Sequence, residues 1–142
     1  MRLEDYCSNI TLMSYEHREN AERLLAVLNP IEDFYIEQGG KPWVITSGYR
    51  FTSDHVRIYA EINAKRKAQK KKPLPVPMNS NHLKGNAVDI SDPKQDLKIF
   101  VADHLHLFEE AELYFEAFQY TSSWLHIQRV PPKSGKRFYV PY

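Results

Sequence analysis

Apolar residues recur with helical spacing in three stretches of the chain. The first runs from Tyr15 to Gln38 behind Ser14, a good N-cap, and Pro30 predicts that it divides into two successive helices. The second runs from Asp54 to about Ala68, and the third from Asp96 to Leu107. The apolar side of the second helix consists of Val56, Ile58, Tyr59 and Ile62.

Short apolar or alternating runs predict the strands of a sheet. They lie at Trp43–Thr46, Val88–Ile90, Glu112–Phe118 and Trp124–Val130, and Arg137–Val140 adds an edge strand. Because a short polar turn joins the third and fourth runs, we expect these two strands to be antiparallel neighbours.

The segment Lys70–Pro77 contains three prolines, which forbid a helix and favour an extended loop. The chain shows no internal repeat and no shift in composition that would mark a domain boundary. We therefore expect residues 1–142 to form one domain with an α+β fold, in which a small antiparallel sheet is flanked by helices.

Composition narrows the class of protein. Hydrophobic residues make up 42% of the 142 residues and charged residues 26%, a balance that favours a folded globular domain over a disordered one. The formal net charge of +1 gives no reason to expect a nucleic acid partner. No apolar run is long enough for membrane insertion, and Cys7, the single cysteine, excludes an intrachain disulfide. Residues 1–12 lack the apolar core of a signal peptide, so we expect synthesis in the cytoplasm.

Two histidines and an aspartate form the candidate metal site. His82 and Asp89 are seven positions apart, so a loop must bring them together, and Gly85 allows that loop to turn sharply. If the strand that carries His126 lies beside the strand that carries Asp89, all three side chains can converge on one ion. Two imidazoles and one carboxylate suit a catalytic Zn²⁺, because they leave a coordination position open.

Three motifs carry a resemblance to a known family. Ser80–Asp89 fits the pattern S-x-H-x-x-G-x-A-x-D, Ser47–Arg50 reads S-G-Y-R, and Trp124–His126 reads W-x-H. In this order the motifs resemble those of the zinc D-alanyl-D-alanine carboxypeptidases and of phage endolysins that cut L-alanyl-D-glutamate bonds. They are also similar to those of the peptidase-like signalling domain of hedgehog proteins.

The resemblance implies a hedgehog/DD-peptidase-like fold and a zinc peptidase, of phage or prophage origin, that acts on peptidoglycan stem peptides. It implies that His82, Asp89 and His126 bind the zinc ion and that Arg50 is a cation in contact with substrate. It also implies action at the bacterial cell wall, after release from the cell or as a virion component. The bond that is cut, endopeptidase or carboxypeptidase action, and the oligomeric state stay open.

The general base is the point where the chain departs from the family pattern. Many members carry an acidic residue three positions before the last histidine ligand, and Ser123 stands there in this chain. Glu116 is the candidate base. Strand alternation alone leaves Glu112 as an alternative, and Asp92, just after the Asp89 strand, is a third.

The missing acid favours a second function class, in which the domain keeps its zinc but acts as an inactive binding module or as a structural part of a virion. The other histidines, His17, His55, His104 and His106, are expected to be surface residues. The basic run Lys65–Lys72 is either a solvated helix end or a patch for phosphate or an anionic wall polymer.

Overall fold

The computed structural model describes residues 1–141. Its helices and strands alternate irregularly along the chain, as an α+β fold requires. The helices are α1 (Leu3–Tyr6), α2 (Tyr15–Glu37), α3 (Thr52–Ala68), α4 (Asp96–Asp103) and α5 (Leu105–Glu110). The strands are β1 (Ile45–Ser47), β2 (Ala87–Ser91), β3 (Tyr114–Glu116), β4 (Trp124–Gln128) and β5 (Phe138–Tyr139). Short 3₁₀ turns occur at Ile10–Leu12, Asn81–Lys84 and Phe118–Tyr120.

The five strands form one sheet in the order β1-β2-β4-β3-β5. The pairs β1–β2, β2–β4 and β3–β4 are antiparallel, but β5 runs parallel to β3. The sheet is therefore mixed, and the expectation of a purely antiparallel sheet was wrong at this edge. After β4 the chain reverses and passes β3 before it pairs with the free edge of that strand, which makes β5 parallel to β3.

Helix α2 continues through Pro30, contrary to the predicted break. Proline removes one helical hydrogen bond, at a cost of about 3 kcal/mol. Leu24, Leu28 and Ile31 are buried on the face of α2 that packs into the core. Each such side chain contributes roughly 1.5–3 kcal/mol, so burial on both sides of Pro30 offsets the lost bond.

Helix α3 occupies nearly the predicted range, but its apolar side does not enter the core. Val56 is 44% exposed, and Ile58, Tyr59 and Ile62 are only half-buried. The one buried residue of the helix is His55, for which a surface position was expected. The half-buried side chains line a cleft instead, and this cleft contains the candidate metal site.

Two predicted elements are shorter in the structure. The helix expected over Asp96–Leu107 ends at Asp103, and α5 begins after His104. The strand expected from Glu112 starts only at Tyr114, because Glu112 adopts a left-handed conformation with φ of 56° at the end of α5. This difference moves the Glu112 side chain off the strand.

The core lies between one face of the sheet and helices α2, α4 and α5. Alternate residues of the central strands project into it, including Val88, Ile90, Leu125 and Ile127, and Cys7 is buried in the same cluster. The intervening residues, Asp89 among them, project to the opposite face. Within residues 1–141, no helix combines the length and the apolarity needed to cross a membrane.

Candidate metal centre

The register between β2 and β4 places Asp89 directly opposite His126. Directly opposed residues of an antiparallel pair have Cβ atoms about 4.5–5.5 Å apart and point to the same face. The predicted pairing of these two strands is confirmed. The sheet thus fixes two of the three candidate ligands through its backbone hydrogen bonds.

The third ligand, His82, lies on a tight 3₁₀ turn over Asn81–Lys84. The Ser80 hydroxyl accepts a hydrogen bond from the His82 amide at 3.3 Å, which helps to fix this loop. Gly85 ends the turn with φ of 77°, and a Cβ there would lie 2.4 Å from the carbonyl oxygen of His17. Only glycine fits this position, and it allows β2 to begin two residues later.

The three side chains converge on one point. One ligand atom from each of His82, Asp89 and His126 lies within 4.8 Å of the other two, and all three residues are buried. The Asp89 Oδ1 atom is 3.4 Å from His82 Nε2 and 2.8 Å from His126 Nδ1. A single ion can therefore contact all three.

Hydrogen bonds on the far side of each imidazole ring fix the tautomers. His82 Nδ1 lies 2.8 Å from the carbonyl oxygen of Gly48, which can only accept, so this nitrogen carries the proton. His126 Nε2 lies 2.9 Å from Gln128 Oε1. The Gln128 amide nitrogen donates to the Val130 carbonyl at 2.6 Å, so its oxygen faces His126 and accepts. The lone pairs of His82 Nε2 and His126 Nδ1 consequently point at Asp89.

Such a cluster is electron-rich and fits a cation. Two imidazole lone pairs and a carboxylate oxygen face one another with no proton between them while both rings are neutral. The two-nitrogen, one-oxygen donor set matches that of zinc sites with an open position. Imidazole rings whose second N–H is held by a fixed acceptor are also typical of metal ligands. The residues present therefore fit the implied ion.

The pKa shifts of the candidate ligands also favour a bound cation. Burial raises the pKa of Asp89, but the charge of His82 and the hydrogen bond with His126 outweigh it and hold that pKa well below its usual range. Burial lowers the pKa of His126, yet the hydrogen bond and the charge of Asp89, with Glu116 nearby, raise it overall. Positive charge is thus favoured beside the carboxylates.

Glu116 ends β3 at the edge of this cluster. Its Oε1 atom is 3.9 Å from His126 Nδ1, and its side chain is 22% exposed. Burial raises the pKa of Glu116 above that of an ordinary carboxylic acid, and the Asp89 charge adds to the increase, whereas His126, His82 and Arg50 oppose it. A carboxylate with a raised pKa that remains accessible from the cleft is suited to accept and release a proton.

The two alternative bases lie elsewhere. Glu112 is exposed and does not line the cleft. Asp92 is buried and caps α4, accepting from the amides of Leu97 at 2.9 Å and Lys98 at 3.1 Å. The Lys98 ammonium also lies 3.3 Å from Asp92. The bonds that Asp92 makes are those of a structural cap. Among the three candidates, Glu116 is the one that lines the cleft.

Arg50 lies beside the metal centre, where the resemblance placed it. One guanidinium nitrogen, Nη2, is 3.8 Å from Asp89 Oδ2, and Nε donates to the Ser47 hydroxyl at 2.9 Å. The Arg50 amide donates to the His82 carbonyl at 3.1 Å, which ties β1 to the ligand-bearing turn. The guanidinium side chain is 18% exposed and lines the cleft.

His55 is a member of the site that sequence reasoning missed. Its Nε2 atom lies 3.0 Å from the Pro77 carbonyl oxygen and therefore donates, which leaves Nδ1 as an acceptor 3.4 Å from Arg50 Nη1. Burial lowers the pKa of His55, and the positive charges of Arg50 and His82 lower it further. A signal was present in the sequence, because His55 precedes Ile58, Tyr59 and Ile62 at the spacing of one helix face.

The candidate metal centre lies at one end of a cleft of about 690 Å³. Its sheet wall consists of Asp89, Glu116, His126 and Gln128 on β2, β3 and β4. Its helical wall consists of residues of α3 and of the segment Leu74–Pro77. The cleft is large enough for a short peptide, and it places such a ligand between a candidate ion and an apolar surface.

Comparison of the chain with protein-family models, with curated proteins and with solved structures gives no match.

Proposed function

We propose that this protein is a zinc-dependent peptidase that hydrolyses peptide bonds in peptidoglycan stem peptides. The observation that carries the proposal is the convergence of His82 Nε2, Asp89 Oδ1 and His126 Nδ1 in a cleft that also contains Glu116 and Arg50. The order of the S-G-Y-R, S-x-H-x-x-G-x-A-x-D and W-x-H motifs supports the peptidase class and a hedgehog/DD-peptidase-like fold.

Each residue has a task in this proposal. A zinc ion held by His82, Asp89 and His126 would acidify a bound water and polarise the scissile carbonyl. Glu116 accepts the proton of the attacking water and delivers it to the leaving amine. Arg50 offers charged donors to the developing oxyanion or to a substrate carboxylate.

Gln128 and the Gly48 carbonyl hold the imidazole rings in the tautomers that ligation requires. A phage or prophage origin and action at the cell wall, after release or as a virion component, belong to the same proposal.

A second candidate is a zinc-stabilised binding or virion structural module without turnover. The observation that favours it is Ser123 at the position where many family members carry the base. Ser123 is exposed in the turn before β4, and its carbonyl accepts from the Asp92 amide at 2.8 Å. A serine hydroxyl cannot replace a carboxylate as a proton acceptor at neutral pH.

One experiment separates the two candidates. Zinc-loaded protein is incubated with purified peptidoglycan of several wall chemotypes, and new amino groups and released peptides are measured. Release by the wild type, abolished in His126→Ala and reduced in Glu116→Gln, supports the peptidase, and the masses of the products identify the bond. Binding to the wall without any release supports the binding module.

A further inference from the structure

The cleft does not end at the metal centre but continues along α3 to Arg66. His55, Ile58, Ile62 and Arg66 follow one another on one side of the helix, at intervals of three or four residues. His55 contacts Arg50 beside the metal centre, whereas Arg66 lines the cleft at the other end of α3. A ligand that leaves the metal centre along this wall passes an apolar stretch and then meets a guanidinium.

The proline-rich segment that completes this wall is fixed in place by side chains of α3. The Asn63 amide makes two bonds to the backbone of Leu74, at 2.8 and 2.7 Å. Arg66 Nε donates to the Lys72 carbonyl at 2.7 Å, and His55 contacts the Pro77 carbonyl. Three anchors from one helix thus hold a proline-rich segment whose φ angles are already restricted. A rigid wall of this kind reduces the entropy lost when a ligand binds.

The charge of the cleft is concentrated at its far end. Lys65, Lys67, Lys70, Lys71 and Lys72 surround Arg66 in the chain, and no Asp or Glu occurs from Ile62 to Val88. Among residues 1–141, no carboxylate lies within 4.0 Å of any of these six cations. Since the whole chain carries only +1, the rest of the protein is net acidic. The positive field is therefore local to this rim.

The position of Arg66 indicates how long a peptide must be to reach it from the candidate metal centre. It lies about three helical turns beyond His55, which corresponds to about 16 Å along the helix axis. An extended peptide covers about 3.3–3.6 Å per residue, so between about four and five residues span the length of α3 from His55, beside the candidate metal centre, to Arg66. The guanidinium uses Nε for the Lys72 carbonyl, which leaves the paired Nη groups to face a carboxylate.

We propose that Arg66 is a specificity-determining residue that binds a carboxylate on the substrate peptide about four residues from the group held at the metal centre. This proposal rests on the proposed function for its anchor at that centre. Under this proposal, the far end of the cleft selects extended peptides that carry an acidic side chain.

The test measures binding, so that it does not depend on turnover. Synthetic peptides with a blocked N-terminus and a free C-terminal carboxylate carry one glutamate two, four or six residues before that carboxylate. Matched peptides carry glutamine instead. The Kd of each peptide for the zinc-loaded protein is measured by calorimetry, for the wild type, for Arg66→Gln and for Arg57→Gln. Arg57 is an exposed arginine of α3 that pairs with Glu61 and does not line the cleft.

We expect glutamate at the spacing of four residues to bind about three- to tenfold more tightly than glutamine, a range set by one charge-assisted bond at a half-exposed site. Arg66→Gln should remove this preference, Arg57→Gln should keep it, and added salt should weaken it. If wild type binds the peptides in this pattern but cleaves neither them nor peptidoglycan, the inference stands and the peptidase proposal fails.

Equal binding of the glutamate and glutamine peptides, or no measurable binding, overturns the inference. A preference that persists in Arg66→Gln also overturns it. Binding of inorganic polyphosphate that depends on Lys70, Lys71 and Lys72, without any peptide preference, assigns the basic rim to a different partner and equally overturns it.

Discussion

The two walls of the cleft are held together by different interactions. On the sheet wall, Asp89, His126 and Gln128 are nearly inaccessible and lie on paired strands, and a hydrogen bond joins the side chains of His126 and Gln128. On the helical wall, His55 is the one buried residue of α3. The proline-rich segment beside it is attached through side-chain contacts to its backbone, not through a strand ladder.

This difference indicates that the two walls of the cleft have different roles. Residues that bind an ion or transfer a proton must be held within a fraction of an ångström, and the central strands provide that rigidity. Residues that select a ligand need less exact placement, so a wall fixed by a few side-chain hydrogen bonds is sufficient for them. We therefore expect substitutions on the sheet wall to remove metal or turnover, and those on the helical wall to change affinity and positioning.

The largest effect is expected from Asp89→Asn on the sheet wall. The amide keeps the shape of the side chain but removes the charge that two neutral imidazoles cannot supply. Wild type should bind one zinc ion per chain, and its Tm should rise by about 10 °C at free zinc a hundredfold above Kd. Asp89→Asn should lose both, whereas Asp54→Asn, an exposed change on α3, should keep them. Metal analysis and thermal melts provide the readouts.

Glu116→Gln should reduce kcat by about 10²–10⁴-fold while zinc binding is retained, because proton transfer is lost but the ligands are intact. Glu112→Gln is the matched control, since Glu112 does not line the cleft, and its kcat should be unchanged. Peptidoglycan hydrolysis and zinc titration are measured for both variants. Undiminished hydrolysis by Glu116→Gln would show that this carboxylate is not the base.

Gln128→Leu tests whether the sheet wall controls the metal through its supporting hydrogen bonds. The variant removes the acceptor for His126 Nε2–H, so the ring loses its fixed tautomer, and zinc affinity should fall about 10–100-fold. Tyr139→Phe removes only the second hydrogen bond to the same Gln128 oxygen and should change zinc affinity little. Competition titrations with a zinc indicator measure both. An equal loss in the two variants would contradict the tautomer argument.

On the helical wall, two variants of His55 separate its two hydrogen bonds. Asparagine can place its oxygen near the Nδ1 position and so keep an acceptor for Arg50, whereas glutamine can keep a donor for Pro77 near the Nε2 position. If His55 positions Arg50, His55→Gln should reduce kcat/KM about tenfold, the value of roughly one hydrogen bond, and His55→Asn should retain most of it. Both should bind zinc normally. The reverse order of the two variants would assign His55 to the proline-rich segment alone.

The smallest expected effect is on the way the free energy of unfolding depends on pH. The pKa of His55 is lowered by burial and by nearby cations, so the folded state keeps this ring neutral. Its contribution to stability is complete above the unfolded-state pKa of about 6.5 and is lost as pH falls through the lower folded-state pKa. The free energy of unfolding of wild type should therefore fall more steeply between pH 7.5 and 5.5 than that of His55→Asn. Urea unfolding of zinc-free protein at a series of pH values measures the difference.

Short stretches of sequence predicted two local features of the candidate site correctly. Alternation of apolar residues around Asp89 and His126 predicted two strands whose polar residues lie on the face opposite the core, and the structure confirms the separately predicted pairing of these strands. Gly85 predicted the sharp turn that presents His82, and the turn has the left-handed conformation that only glycine adopts without strain. The strands and the turn depend on interactions within a few residues along the chain, whereas the pairing joins residues 37 positions apart.

Short stretches of sequence gave a wrong prediction where contacts between distant segments determine the structure. Pro30 remains inside α2 because the core packs against both halves of the helix, and no local rule contains that contribution. His55 contacts Tyr59 on its own helix, but neither hydrogen bond of its ring is made within α3. Arg50 and Pro77, which hold it, come from segments on either side of α3.

The sequence by itself determined the candidate ligands, the strands that carry two of them and the α+β class, because side-chain alternation and glycine geometry are properties of short segments. Only the tertiary structure distinguished Glu116 from Glu112 and Asp92, turned the apolar side of α3 towards a cleft, and placed Arg66 at its far end. The physical reason is that burial and charge proximity arise between segments distant in the chain, and those quantities decide which of several chemically equivalent side chains lies where a reaction can use it.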